Sequence, residues 1–582
     1  MYASKKKSLP PSKPAVSSVA IPRVGLTNAE LANELLALAQ LLSAQKENPY
    51  KIRAYRKAAE TIRALPESIS EMVAKKENLT EIAGIGDAIA SALKEIVTSG
   101  RLRKLDTLRG SVDPAVVALG EYPRLDPARV KRVYAQLGIS TVGELKEALQ
   151  SGAIGKTMGS RIEQHVRSAL TESTTLLLYD ADEIAPKIQQ YLETVCGAAR
   201  SVVTGETRRR VDVVNELTFL VEGDFASVVA KFQRYAGGAA VISAEFPRAL
   251  FKIGTGAMVL LEFADARKWG IALIGSTGSE AHLDALEQQT NGLAKLAKTK
   301  QRFPTEDLVY EALDITYIQP ELREGRDEIE RAQHGTLPKL INNSDLRGDL
   351  HAHSAASDGA HSIEDMIEGA RERGYHYLGI TDHSQSLKIA NGVAERDLWK
   401  QIRRIDKLNA KLKCFRVLKS AEVDILADGT LDYSDDLLRE LDYTICSIHS
   451  RFGFDKQTQT QRIMRAMDHP CFDILGHATG RLLLRRPGYE LDMEKLVAHA
   501  RERGCFFEIN SSPDRLDISA ENARLAHEAG VKIAVNTDAH SISELGFIRW
   551  GVDQARRAGL EAKDVLNCLS WPQIEKQLRS RR

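Results

Sequence analysis

Cysteine is sparse in this chain. Cys196, Cys414, Cys446, Cys471, Cys505 and Cys568 are scattered over 582 residues, and no two form a CxxC pair. That pattern excludes a disulfide framework and a zinc ribbon, and it predicts a reduced, cytoplasmic compartment. No apolar run approaches the ~20 residues that cross a bilayer, so no membrane partner is expected. Net charge is nearly absent as well, at +1. A uniformly basic coat is thereby excluded, while a local basic face for nucleic acid is not. The first 24 residues contain no acid and no apolar signal-peptide core, but carry Lys5, Lys6, Lys7, Lys13 and Arg23 among Pro and Ser. They read as a disordered basic tail over 1–24.

What is present is more than one core can hold, so several domains are expected. Helical spacing runs from Asn28 to Ala44 and from Tyr50 to Leu65, broken by Asn48-Pro49 and stopped by Pro66. Helical patterns with Gly turns continue to about Leu170. Short β-rich runs then appear at Thr175–Leu178, Val202–Val203, Leu217–Val221 and Met258–Phe263, suggesting a separate α+β domain. The polar stretch Pro320–Pro338 reads as a connector. After Asp345, seven strand candidates alternate with helical patterns: Leu346–Leu350, Tyr377–Thr381, Phe415–Lys419, Tyr443–Ser447, Phe472–Leu475, Phe506–Ile509 and Ile533–Val535. Seven β/α units in ~240 residues predict a parallel sheet closed as a barrel.

The C-terminal ends of those strands carry the chemistry. His351-Ala-His353 and Asp358 follow the first, Asp382-His383 the second, Glu422-Val-Asp424 the third. His449 and His477 end the fourth and fifth, and Asp538-Ala-His540 the seventh. In a parallel barrel these ends share one mouth. A single HxH pair is ordinary surface. Six of the fourteen histidines at successive strand ends beside acids are not, and the set exceeds the needs of one four-coordinate ion. Imidazole with carboxylate suits Mn²⁺, Zn²⁺ or Fe²⁺. Two or three such ions, Mn²⁺ foremost, would support phosphate-ester hydrolysis without a protein nucleophile. Lys419, Arg481, Arg485 and Arg486 lie near these motifs and are candidates to grip phosphate; a solvated rim is the equal alternative.

Taken together, His351-Ala-His353…Ser357-Asp358-Gly359, Thr381-Asp382-His383-Ser384, Glu422-Val-Asp424-Ile, Ser447-Ile-His449-Ser450, Gly476-His477-Ala-Thr-Gly480-Arg481, Glu508-Ile-Asn510 and Asn536-Thr-Asp538-Ala-His540 closely resemble the polymerase-and-histidinol-phosphatase (PHP) domain. The resemblance covers about Leu340 to Leu569. It implies a distorted (β/α)7 barrel with a trinuclear site, whose ligand pattern maps onto His351, His353, Asp358, His383, Glu422, His449, His477, Asp538 and His540. Ser420 stands where that family commonly has glycine.

Nearer the start, Leu79–Leu93 has the spacing of a helix-hairpin-helix, in which Gly84 and Gly86 let backbone amides approach a DNA phosphate. The segments in order resemble bacterial family X DNA polymerases, over about residues 25–575. The resemblance implies a multidomain chain: a small helical DNA-binding domain (25–105), a fingers-like domain (106–172), an α+β palm (173–265), a thumb-like domain (266–318), a linker (319–344) and a PHP barrel (345–582). The nucleotide-side motifs persist as Gly205, Arg208 and Arg209, and as Thr277, Gly278 and Ser279. The palm departs from the family, with Glu216, Thr218 and Glu262 where three Asp are usual. Threonine cannot bridge two ions, and Glu is a methylene longer, so little or no synthesis is expected. The hairpin region Tyr122–Pro127 lacks the usual glycines, and Ala92 stands at the family's lyase-lysine position. The reading that results is a monomeric 3'-5' exonuclease or 3'-end-processing nuclease of DNA repair, acting on gapped, nicked or 3'-ended DNA. An active gap-filling polymerase and a histidinol-phosphate-type phosphatase remain alternatives.

Overall fold

The computed structural model describes residues 26–579 apart from 46, 64, 112–126, 160–161, 164–165, 167–174 and 291. The basic tail and most of the Tyr122–Pro127 hairpin lie outside the described residues.

Thr27 opens the first helix, Asn28–Ala44, in a reciprocal cap with Glu30. The second helix, Pro49–Arg63, begins on the proline that sequence spacing reads as a break. Proline tolerates that position because an N–H in the first turn has no helical partner. Gly84, at φ 88°, turns the chain into the helix Asp87–Ser99, which Gly100 ends in a left-handed cap. Leu35, Leu38, Ala58, Ile62, Leu93 and Ile96 pack these helices into one apolar cluster. A smaller cluster joins Pro127–Leu137, Val142–Gln150 and Ala153–Met158.

The middle of the chain holds a five-stranded mixed sheet of β1 (Arg200–Val203), β2 (Glu216–Glu222), β3 (Ala240–Glu245), β4 (Arg248–Lys252) and β5 (Met258–Phe263), in the order β1-β2-β5-β4-β3. Alternation puts Leu217, Phe219, Val221, Val259, Leu261 and Phe263 on one face, packed with the helices Leu178–Thr194 and Phe225–Phe232. The expected run Thr175–Leu178 shrinks to a two-residue strand, Leu176–Leu177, because Leu178 already opens a helix. The charged connector is no open chain. Leu322, Ile329 and Ala332 join the apolar cluster of Ile274, Leu286 and Tyr310, and fully buried Arg323 pairs with Glu306 at 2.6 Å. Glu321, Arg323 and Glu324 are paired within the fold, while Asp327 and Arg331 stay partly exposed.

The last third is an all-parallel barrel in two sheets. One has the order β8 (Arg416–Lys419), β7 (Tyr377–Ile380), β6 (Gly348–Ala352). The other runs β9 (Glu422–Asp424), β10 (Ile445–Ser447), β11 (Ile474–Leu475), β12 (Phe506–Asn510), β13 (Ile533–Asn536). Single bridges, Ala352 to Ala539 and His383 to Glu422, close the ring. The third expected strand, Phe415–Lys419, is β8, and β9 is an eighth strand beyond the seven that sequence spacing predicts. Ser420 and Ala421 separate the two, and the Ser420 hydroxyl is satisfied by the Tyr443 carbonyl at 2.8 Å. That break is the distortion of the barrel.

The barrel is fastened to the middle sheet through the helix Ile548–Arg557. Trp550 packs in the middle domain's core and donates its indole N–H to Asp182 at 2.8 Å. Arg210 is held between Asp182 and Asp553, and Arg557 reaches Glu324 and the Arg209 carbonyl, both at 2.7 Å.

Candidate metal centre

The barrel brings all nine expected ligands to one mouth. Successive residues on a strand alternate faces, so His351 and His353 point the same way from the end of β6. Glu422 is buried at the middle of the nest. Its Oε2 lies 2.7 Å from His383 Nδ1 and 3.6 Å from both His351 Nε2 and His353 Nε2; its Oε1 lies 2.8 Å from His477 Nε2 and 3.4 Å from His449 Nε2. Asp538 Oδ1 stands 3.4 Å from His351 Nε2 and 2.9 Å from His353 Nε2. On the outer side, Asp358 meets His540 at 3.3 Å and His383 at 3.5 Å.

His353–Asp538 and His477–Glu422, at 2.9 and 2.8 Å, are hydrogen-bond lengths, whereas the pairs at 3.3–3.6 Å have the separations of atoms that share an ion. Two ligand atoms each about 2.1 Å from one ion stand roughly 3–3.5 Å apart. His351 Nε2, His353 Nδ1, His383 Nδ1, His477 Nδ1 and Glu422 Oε2 are buried without a hydrogen-bond partner. Buried polar atoms rarely stay unpaired unless something else satisfies them. Three overlapping groups result: His351, His353, Glu422 and Asp538; His353, Asp358, His383 and His540; and His383, Glu422 and His449. His477 adjoins the last through Glu422.

The electrostatics favour cations. Burial works against the charge on Glu422, Asp538 and Asp358, yet the surrounding imidazoles hold all three carboxyls well below the ordinary range. Burial likewise opposes the charge of His383, but Glu422 and Asp358 hold it up to about 10. Burial, with His383 and His540 alongside, pushes His353 down to about 3. A divalent ion replaces those protons with more charge at the same atoms. His477 and Asp538 also sit at positive φ, 24° and 55°, a conformation that non-glycine residues adopt at a cost.

A ring of carboxylates outside the ligands orients them. Glu508 accepts from His351 Nδ1 at 2.7 Å, from the His477 N–H at 2.9 Å and from Asn536 at 2.8 Å. Asp424 accepts from His449 Nδ1 at 2.5 Å. Asp382 accepts from Ser354, Ser357 and Gln401, all within 2.9 Å, which fixes the loop carrying Asp358. Sequence motifs include all three acids, but their roles are visible only in the fold. Arg515, which sequence reasoning passed over, points its Nε at Asp538 Oδ2 from 3.7 Å. No local signal marks it, since it lies in an irregular loop.

The basic residues read as phosphate grips are placed differently. Arg481 donates to the carbonyls of Arg515 and Leu516 and pairs with Asp212 at 2.9 Å. Arg486 donates to the Gly480 carbonyl and covers the Phe452 ring. Lys419 pairs with Asp406, and Arg485, largely exposed, with Asp514.

In the middle domain Glu216, Thr218 and Glu262 share one face of the sheet. Glu262 is paired with Arg248 at 2.7 Å, and Thr218 donates to Glu216 at 3.4 Å. Burial first, then Glu262 and Glu206, push the Glu216 carboxyl up, outweighing that hydrogen bond. Arg208 makes a two-pronged pair with Glu306 and also donates to Thr277 Oγ1; Arg209 donates to the Thr277 carbonyl and to Glu324. Gly205 turns at φ 57° beside Thr218, Gly278 packs on His282, and Ser279 caps the helix Glu280–Gln289. Ala92 is buried in its helix.

Known proteins align with both halves. A helix-hairpin-helix domain model matches residues 26–102 and a PHP domain model matches residues 349–512. The chain is 33% identical over 570 residues to the DNA polymerase/3'-5' exonuclease PolX of Bacillus subtilis (strain 168), covering 93% of this chain and 97% of that protein. Over 232 residues, 38% of this chain, it is 33% identical to a protein of Thermoanaerobacter sp. (strain X514) named "Probable phosphatase", of which it covers 89%. A similarly named protein of Syntrophotalea carbinolica is 27% identical over 230 residues, covering 38% of this chain and 90% of its own length. The first of these likenesses spans helical front, middle sheet and barrel together, and on it the chain belongs to the bacterial family X DNA polymerases with a C-terminal PHP domain.

Proposed function

We propose that this protein is a DNA-binding, metal-dependent phosphodiesterase that removes nucleotides from 3' ends, with a polymerase-like module that synthesises weakly or not at all. The observation that carries this reading is the set of imidazoles and carboxylates gathered around Glu422 in three overlapping groups. The donor set fits two or three divalent ions of the Mn²⁺, Zn²⁺ or Fe²⁺ class, Mn²⁺ foremost. When bound, such ions supply Lewis acidity toward a phosphodiester and its leaving oxygen. The chain's own contribution is orientation: Glu508 and Asp424 aim His351 and His449, and Asp382 holds the Asp358 loop. Arg515 stands where it can meet a phosphate oxygen beside Asp538.

The front half supports a DNA substrate of either gapped or 3'-ended form. Beyond the Gly84–Gly86 turn, Lys51 and Lys104 stand close together. Burial, then the Lys51 ammonium, lowers the Lys104 pKa, with Glu47 acting against both and pairing with Lys51 at 3.8 Å. The domain division given above, a monomer and a cytoplasmic location belong to the same proposal. Among the described residues, no helix is long and apolar enough to cross a membrane. Weak synthesis is supported by Glu262 being spent on Arg248, and Arg208 on Glu306. The test is a 5'-labelled primer on a gapped template with Mn²⁺, with and without nucleotides. The primer is expected to shorten in both. A primer that only lengthens would overturn the proposal.

A further inference from the structure

Ile389 has the highest exposure, 93%, of the large apolar side chains among the described residues. It stands at the tip of the loop between β7 and the helix Glu395–Asn409, on the mouth side of the barrel. That loop is firmly held. At its base the Val393 N–H donates to the His383 carbonyl at 2.8 Å. Gly392 passes so close to the Ser384 carbonyl that a Cβ would lie 2.0 Å from it. Ser386 donates its hydroxyl to Asp424, the acid that orients His449, and its N–H to Asp432 at 2.7 Å. Asn391, at φ 54°, reaches the Ser357 carbonyl beside Asp358 at 3.4 Å. The tip is therefore tied to the supports of two groups of metal ligands. Turns closed by Leu387 and Ala390 keep it compact, within roughly 15 Å of His383. An isoleucine fixed in water by such a loop gains nothing from the fold, and its apolar surface remains available to a ligand.

We propose that Ile389 packs against the terminal nucleobase of the DNA strand whose phosphodiester lies in the nest. The inference rests on the phosphodiesterase reading above. A base presents an apolar face whatever its identity, so contact with it is sequence-tolerant. Aliphatic side chains make such contacts where they wedge against a base step. Lys388, exposed beside it, suits the flanking phosphate. A small phosphoester has no base to reach this tip, so the residue separates nucleic-acid substrates from small ones.

The full-length protein, with Mn²⁺, is assayed on three substrates: an oligonucleotide with a normal 3'-terminal nucleotide, the same oligonucleotide ending in an abasic nucleotide, and bis(p-nitrophenyl) phosphate. Ile389→Ala is expected to raise KM about tenfold on the normal end, a change equivalent to about 1.4 kcal/mol of lost contact. It leaves kcat on bis(p-nitrophenyl) phosphate unchanged and has no effect on the abasic end, while Ile389→Met recovers most of the loss. Equal effects on normal and abasic ends, or an unchanged KM on the normal end, overturn the inference alone. Wild-type protein that fails to cut DNA overturns the DNA reading and this inference with it, whether or not it cuts the small ester.

Discussion

Replacing Glu508 by glutamine tests whether the acids behind the nest set its affinity for metal. The side chain is fully buried, and four N–H donors converge on its two oxygens: His351 Nδ1 at 2.7 Å, Asn536 at 2.8 Å, the His477 backbone at 2.9 Å and Asn510 at 3.4 Å. Glutamine keeps the shape but offers one oxygen and one amide. Whichever way the amide turns, its N–H faces at least one donor. An unpaired buried donor costs about 1–3 kcal/mol, and the bond to His351 also loses its charge assistance. Both losses fall on ligand orientation, because His351 Nε2 and the His477 backbone are what Glu508 steers. Mn²⁺ affinity is expected to fall about 10–100-fold, equivalent to about 1.4–2.7 kcal/mol. Calorimetric titration of Mn²⁺ into chelator-treated wild type and Glu508→Gln measures this directly. A metal-free thermal melt of each separates the effect from general destabilisation. A folded variant that binds Mn²⁺ within twofold of wild type would refute the reasoning.

Three further perturbations probe other parts of the chain. His353→Ala or Asp538→Ala should abolish 3'-end hydrolysis while DNA affinity in a gel shift stays within about threefold, the two-part division of labour failing if both are lost together. Glu306 is buried, yet the Arg208 and Arg323 guanidinium groups overcome the cost of burial and depress its carboxyl from 4.5 to about 2. A depressed carboxyl contributes stability above its ordinary value and loses it as pH falls through the folded one. At about 1.4 kcal/mol per pH unit, about 3 kcal/mol should disappear between pH 4.5 and 2; Glu306→Gln should flatten that acid limb in urea midpoints, and an unchanged limb contradicts the pairing. Restoring Asp at Glu216, Thr218 and Glu262 together, in a chain disabled by Asp538→Ala, should raise primer extension above the parent's. Robust extension by the Asp538→Ala parent alone would show the palm to be intact.

The candidate metal ligands were legible in the sequence because they lie at, or within a few residues of, the C-terminal ends of short apolar strands, where a barrel brings side chains to one mouth. His351-Ala-His353 and Asp538-Ala-His540 announce themselves by local spacing. The groups that orient them do not. Glu508 reaches His351 across 157 residues of chain, and no spacing rule connects the two. The arginines misled for a related reason. Arg481 and Arg486 look free in sequence, but carbonyls of irregular loops take up their donors. Strands were legible where one face is buried, as at Leu217–Val221. The hairpin β3–β4 was missed because Ala240–Glu245 is exposed on both faces, leaving no apolar alternation to read. How the connector packs was not legible, because its polar residues carry no mark of their partners, and Arg323 is paired inside.

Two places on this chain offer carboxylates to the same kind of ion, and they compete. The nest presents Asp358, Glu422 and Asp538 among six imidazoles, with buried lone pairs that nothing else satisfies. The middle sheet presents Glu216 and Glu262, but Arg248 already neutralises one and burial favours the protonated form of the other. A divalent ion entering the second place must compete with an arginine, and it finds no bridge from Thr218. An ion entering the first displaces only protons. At limiting metal the nest therefore fills first, and the middle sheet fills, if at all, at concentrations where the nest is saturated. The arginines that face nucleotide in a working palm are here held by Glu306 and Glu324, and Arg210 is clamped to Asp553 of the barrel. These residues now bind the domains to one another. The Gly205–Arg209 motif therefore has a structural task in this chain, beside a carboxylate set that differs from the family's.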